Sequence, residues 1–167
     1  MNDRYDEMLS LVALTEEDWP LWRTLRLQAL EDAPYAFGST LEQWSGDNDR
    51  EDRWRGRLRN SALTLVCLFD GEPAGMVATT PPTKIETELQ SMWVSPRFRG
   101  RGVGDQLVNG VLQWATEYGL AQVRLGVRAT NQPARELYER HGFIDTGERH
   151  DESEGLCELS MVRILPK

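Results

Sequence analysis

Cysteine and histidine are scarce in these 167 residues, with two of each. That scarcity excludes whole classes of chemistry. Cys67 and Cys157 stand in apolar, strand-like surroundings, where a thiol acts as a small buried hydrophobe and not as half of a redox pair. His141 and His150 cannot assemble a zinc constellation, so no metal is expected. No apolar run approaches the roughly 20 residues a membrane span requires, and the stretch from Met1 to Glu7 lacks the basic and then apolar layout of a signal peptide. The expectation is a cytoplasmic protein with no membrane partner. Positive charge is also short: 19 Lys and Arg face 27 Asp and Glu, for a formal charge of −8 and a pI near 4.8. Nucleic-acid affinity comes mostly from neutralising phosphates, so this balance opposes a nucleic-acid partner. An acidic surface favours a cationic amine over an anionic acceptor.

What is present suits one globular domain over residues 1–167, with residues 1–8 loose: 40% of the chain is hydrophobic and 28% charged. The stretch that organises the rest is Glu88 to Tyr118. Leu89, Met92, Trp93 and Val94 form a strand-favouring run that Ser95-Pro96 ends. Val103, Leu107, Val111, Trp114 and Tyr118 then fall at helical spacing. Between them, Arg97 to Gly104 carries three glycines and three arginines. Glycines let backbone N–H groups approach a ligand closely, and a helix start adds unpaired amides and a positive dipole end, so this loop reads as a phosphate cradle. Two phosphate-loop patterns fail here. A Walker A loop requires Lys-Ser/Thr after its last glycine, where this chain has Asp105-Gln106, and a G-x-G-x-x-G fingerprint starting at Gly100 requires glycine at Asp105.

Around this unit, the spacing predicts a first strand at Leu9 to Leu14. A helix capped at Thr15 follows, with acids at Glu16, Glu17 and Asp18 and with Trp19, Trp22, Leu25, Leu27 and Leu30 facing the core. Residues 32–39 break it, and a helical region over 40–60 is interrupted near Gly46. Ala62 to Phe69 and Pro73 to Thr80 form a hairpin across Asp70-Gly71, and a fourth strand starts near Glu86. Gln122 to Val127 supplies a fifth strand, Gln132 to His141 a short helix stopped by Gly142. Ile144 to His150 and Leu156 to Ile164 make two closing strands around the acidic turn Asp151 to Gly155. Strand four, helix, strand five is a crossover unit, so that pair should be parallel.

The loop Arg99-Gly100-Arg101-Gly102-Val103-Gly104, preceded by a strand ending in Val94-Ser95-Pro96, resembles the Arg/Gln-x-x-Gly-x-Gly/Ala motif of the GNAT superfamily of N-acetyltransferases. Asn131 to Phe143 is similar to that family's Asn-x-x-Ala-x-x-Leu-Tyr-x-x-x-Gly-Phe segment. The resemblance covers about residues 86 to 150. It implies an α/β fold of the α+β mixed-sheet kind, with about seven strands, about four helices, and parallel strands four and five splayed around acetyl-CoA as cosubstrate. In this reading, Arg99, Gly100, Arg101, Gly102, Val103 and Gly104 hold the diphosphate. Trp93 and Val94 pair with the pantetheine amides, Asn131 lies opposite, and Arg97, Arg101 or Arg135 reaches the ribose phosphate.

The same resemblance assigns the chemistry. Glu88 is the candidate base and Glu86 the second choice. Tyr138 is the candidate acid for the leaving thiol, and an N–H near Met92 or Trp93 polarises the thioester carbonyl. Tyr35, Phe37 and Trp44 are candidates to line the acceptor pocket, against the alternative that they are core. No nucleophilic side chain is set up, so direct attack by a primary amine of a small molecule or peptide is expected. The alternative is a non-catalytic acyl-CoA sensor. A homodimer is compatible with the family.

Overall fold

Alternating apolar residues and well-placed turn residues produce the strands where the pattern puts them. The computed structural model describes residues 8–152 and 156–167. In chain order the elements are β1 (Leu9–Ala13), α1 (Trp19–Asp32), α2 (Leu41–Trp44), α3 (Glu51–Arg59), β2 (Leu63–Phe69), β3 (Glu72–Thr79), β4 (Glu86–Val94), α4 (Val103–Tyr118), β5 (Gln122–Arg128), α5 (Gln132–Arg140), β6 (Ile144–Glu152) and β7 (Leu156–Ile164). They form one seven-stranded sheet in the order β1-β2-β3-β4-β5-β7-β6. All neighbours are antiparallel except β4 and β5, which are parallel as the crossover requires. The described residues hold five α-helices, one more than the expected number of about four, because the region over 40–60 divides: Gly46 takes φ +59° and a single 3-10 turn separates α2 from α3. Asp70 and Gly71 both have positive φ, +48° and +83°, as a tight hairpin turn demands. Of the expected loose segment only Met8 is described, and its amide donates to Asp70 Oδ1 at 2.9 Å; residues 1–7 lie outside. Of the acidic turn, 151 and 152 continue β6 while residues 153–155 lie outside the described residues.

Helices cover both faces of the sheet. On one face α4 and α5 bury Val103, Leu107, Val111 and Tyr138 against Val77, Leu89 and Val123. On the other, α1 and α3 bury Trp22, Leu25 and Trp54 against Val66, Met76 and Trp93. α4 sits close to the sheet because Gly75 lies beneath it: a Cβ there would meet the Trp93 carbonyl oxygen at 2.8 Å and Val103 at 3.0 Å. Gly75→Ala should therefore destabilise the fold by about 1–3 kcal/mol, since the obstructing atom is backbone and cannot rotate aside. At this chain length each kcal/mol lowers the melting midpoint by about 2–4 °C. Thermal denaturation checks it, and an unchanged midpoint would show that α4 can lift off β3 without loss.

The feature that shapes the site is where β4 and β5 stop pairing. They are in register only at Glu86 with Gln122, Thr87 with Val123, and Glu88 with Arg124. β5 continues to Arg128 on β7 instead. In β4, Gln90 pairs with Ala78 and Trp93 with Met76, so Ser91 and Met92 together oppose Val77. Ser91 takes φ +56°. This is a β-bulge, which bends a strand and redirects its side chains. From Leu89 to Val94, β4 has no strand partner on the β5 side.

Candidate active site

A cavity of about 620 Å³ opens beside the end of that free stretch of β4, between it and α5. Its walls include Trp93 and Val94 of β4, the loop residues Arg99, Gly100, Gly102, Val103 and Gly104, and Asn131 at the start of α5. Gly102 is the N-cap of α4, with φ +84° and, among the described residues, no side chain capping the helix. The first bond of the helix runs from the Gln106 amide to the Gly102 carbonyl at 3.0 Å. The amides of Val103, Gly104 and Asp105 thus have no intrahelical acceptor. Asp105, the acid nearest those amides, bends away to His141 Nε2 at 2.7 Å and Arg140 at 3.2 Å. Burial pushes its carboxyl up, but the hydrogen bonds from His141 and Arg140 outweigh this and hold it below the usual range. The start of α4 is an open set of N–H donors with a positive dipole end.

The arginines of the loop divide among partners within the protein. Arg99 lines the cavity, but its guanidinium is engaged within the protein, with Nε donating to the Val94 carbonyl at 3.0 Å and an ion pair to Asp32 at 2.6 Å. Asp32 also accepts from the Trp93 indole at 3.0 Å. That indole, and then Arg99, hold its carboxyl low. Arg99 therefore fixes the end of β4 to α1. Arg97 pairs with Glu72 at 3.4 Å, and Arg101 lies over the Phe69 ring at 5.2 Å. Arg135 donates to the Ala129 carbonyl at 3.1 Å. None of the three is a wall of the cavity. Asn131 is, and its side chain also caps α5 by accepting from the Ala134 amide at 3.4 Å.

A second cavity of about 90 Å³ continues the first and shares Ala36, Phe37, Met92, Asn131 and Ala134 with it. Tyr138 lines it. The tyrosine is 5% exposed and meets Phe143 edge to face at 5.8 Å between ring centroids. Burial pushes its phenol well above the ordinary value, so it carries its proton throughout the working pH range. The two carboxylates of β4 differ. Glu86 is tied to Arg124 at 3.1 Å and to Gln122 at 2.5 Å. Glu88 is exposed, on the same strand face as Gln90, which lines the small cavity. Two residues of strand put Glu88 about 7 Å back from Gln90, a distance suited to action through water.

Residues 12–143 match the sequence model of the Acetyltransferase (GNAT) family. The chain belongs to that family. GNAT relatives include the human N-acetylaspartate synthetase, 37% identical over 83 residues that are 49% of this chain and 28% of that protein. Streptothricin acetyltransferase of Streptomyces lavendulae is 30% identical over 103 residues, 61% of this chain and 54% of that protein. The chain thus spans about half or less of the length of these curated relatives. A putative acetyltransferase from Salmonella typhimurium, solved with its cofactor acetyl-CoA, superposes with a TM-score of 0.76 over 96% of this chain and 95% of that one at 16% identity. That likeness shows the GNAT fold.

Tyr35 and Phe37 line the larger cavity and Phe37 the smaller one too. Trp44 does not: it is buried against Trp54 at 4.7 Å, with Arg53 over its ring at 4.0 Å. Three arginines that periodicity did not single out surround the bulge. Arg128 lines the small cavity and donates to the Tyr35 carbonyl at 3.1 Å. Arg26 of α1 is 4% exposed, donates to Ser91 Oγ at 3.3 Å, and lies 4.7 Å from the Phe37 ring centre. Arg57 of α3 reaches the same hydroxyl at 3.5 Å. Those two cationic groups lie within about 7 Å of each other, where like charges repel by about 2 kcal/mol at an effective dielectric near 20. Burial, and then the charge of Arg57, pull Arg26 down to about 10. Neither arginine has a carboxylate within ion-pair distance among the described residues.

Proposed function

We propose that this chain transfers an acetyl group from acetyl-CoA to a primary amine of a small molecule or peptide by direct attack. The observation that carries this reading is the opening between parallel β4 and β5, with uncapped α4 amides at one end and Tyr138 at the other. The cradle of residues 99–104 would hold the diphosphate. The free edge of β4 at Trp93 and Val94 would pair with the pantetheine amides in the manner of an added strand, and Asn131 would close the opposite side. The GNAT match and a solved neighbour carrying acetyl-CoA support the cosubstrate. One relative's name points to N-acetylaspartate and another's to streptothricin, so the acceptor does not carry over from them.

Starting from the ammonium form, the nitrogen loses one proton to free its lone pair and a second after it bonds to the thioester carbon; the carbon–sulfur bond breaks, the sulfur gains one proton, and one proton is left to solvent. Glu88 takes the amine's proton through water, and Tyr138 supplies the proton to sulfur. An amine of pKa about 10.4 is protonated at neutral pH, and freeing its lone pair there costs about 4–5 kcal/mol, so a base is useful. Glu86 is the weaker candidate because Arg124 and Gln122 occupy its oxygens. Glu88→Gln should lower the rate most at low pH and recover toward wild type as pH approaches the amine's own pKa, where free base no longer has to be generated. A loss equal at every pH would remove Glu88 from the role. Free-thiol release with acetyl-CoA and a panel of polyamines, aminoglycosides, amino acids and peptide N-termini tests the reading as a whole; no release with any of them would leave an acyl-CoA-binding module instead.

A further inference from the structure

Ser91 sits at the β4 bulge with an unusual pair of neighbours. Its hydroxyl oxygen receives N–H groups from Arg26 at 3.3 Å and Arg57 at 3.5 Å. A hydroxyl has two acceptor positions and one proton. With both acceptor positions taken, its O–H is left to donate elsewhere, and Ser91 is a wall of the small cavity beside Tyr138 and Phe37. Two cations behind the oxygen polarise that donor toward an anion. Arg26 is almost fully buried and its Nε has no hydrogen-bond partner among the described residues. Buried charges are normally paired, and two cations without a carboxylate behind one residue of a cavity wall mark a place where a negative group is missing.

We infer that the acceptor carries a carboxylate close to its reactive amine, and that this carboxylate accepts from Ser91 Oγ–H with Arg26 and Arg57 balancing its charge. This rests on the acetyltransferase reading and specifies its substrate class. The chain's net charge of −8 pointed to a cationic acceptor, but the charge that decides recognition is local, and here it is positive. Hydrogen bonds from charged or charge-backed donors to a carboxylate are worth enough to give about 10- to 100-fold discrimination when the carboxylate is removed.

The test compares the common L-amino acids with their C-terminal carboxamides, following thiol release from acetyl-CoA with the full chain. Neutralising the carboxylate also lowers the amine pKa, so more of the amide is free base and the comparison is biased against the inference. Wild type should prefer the best acid over its carboxamide by at least about 10-fold in kcat/KM. Ser91→Gly should reduce that ratio to a few-fold, mainly through KM. Glycine also relieves the positive φ at this position, so misfolding does not confuse the result. Arg57→Gln should lower the ratio in the same direction. A wild-type ratio near one, a ratio that survives Ser91→Gly, or turnover confined to polyamines and aminoglycosides would overturn the inference while leaving the enzyme reading intact. Calorimetry showing no acetyl-CoA binding would instead overturn that reading, and this inference with it.

Discussion

Gly102→Asp should weaken acetyl-CoA binding by about 100-fold while leaving the fold in place. The aspartate would stand at the N-cap of α4, where its carboxylate competes for the very amides that would receive the diphosphate and repels the incoming anion. Each charge-assisted hydrogen bond lost is worth about 1.5–3 kcal/mol, and 1.4 kcal/mol is tenfold. Folding is spared because Asp is among the residues that tolerate a left-handed backbone, at about 1–2 kcal/mol at most, and because a Cβ at this position meets only Leu9 at 3.5 Å. The melting midpoint should then fall by no more than about 8 °C. Gly46→Asp is the control, since Gly46 also has positive φ, at +59°, and open space around it, yet lies outside the cavity walls. Calorimetric titration with acetyl-CoA should separate the two variants. Equal affinity in both would show that the α4 amides do not receive the cosubstrate.

Tyr138→Phe should lower turnover by about 10- to 100-fold with acetyl-CoA affinity nearly unchanged. The substitution deletes one oxygen and keeps the ring against Phe143, so packing is preserved. A neutral phenol is what the proposed step requires, and burial guarantees it. The size of the loss is limited because a thiol resembling cysteine, pKa about 8.5, leaves tolerably well as thiolate without help. The loss should therefore shrink as pH rises past that value. Steady-state kinetics across pH, alongside a direct affinity measurement, checks both halves. A fall in affinity at constant turnover would make Tyr138 a packing residue of α5.

How much of this was readable in advance follows from what each signal depends on. The strand from Glu86 to Val94, the glycine loop, α4 and the Asp70-Gly71 turn are written in local residues, because alternation, helical spacing and positive-φ positions are properties of a few neighbours in the chain. The parallel pairing of β4 with β5 follows from the crossover between them. Asn131 at the start of α5 and Tyr138 on its buried face were legible as positions, since a helix start capped by Asn and a tyrosine on the inner face need only the α5 segment. The arginines of the loop did not resolve. Composition placed three of them beside a phosphate site, but Arg99 turns to Asp32 and Val94, and Arg97 to Glu72. The carboxylates that pair with them, Asp32 and Glu72, lie 67 and 25 positions away in the chain.

Sequence alone determined that this is a mixed-sheet chain with a glycine-rich loop at the start of its longest helix, and it named the motifs that place it among the GNAT proteins. Tertiary structure decided what surrounds the β4 bulge. Ser91 looks like any strand residue, and Arg26 and Arg57 like any solvated arginines, until folding brings α1 and α3 onto the face where β4 bulges. Arg26 and Ser91 are 65 positions apart. No periodicity reports a contact of that span, because burial and unpaired charge are set by which surfaces meet and not by the order in which residues are joined.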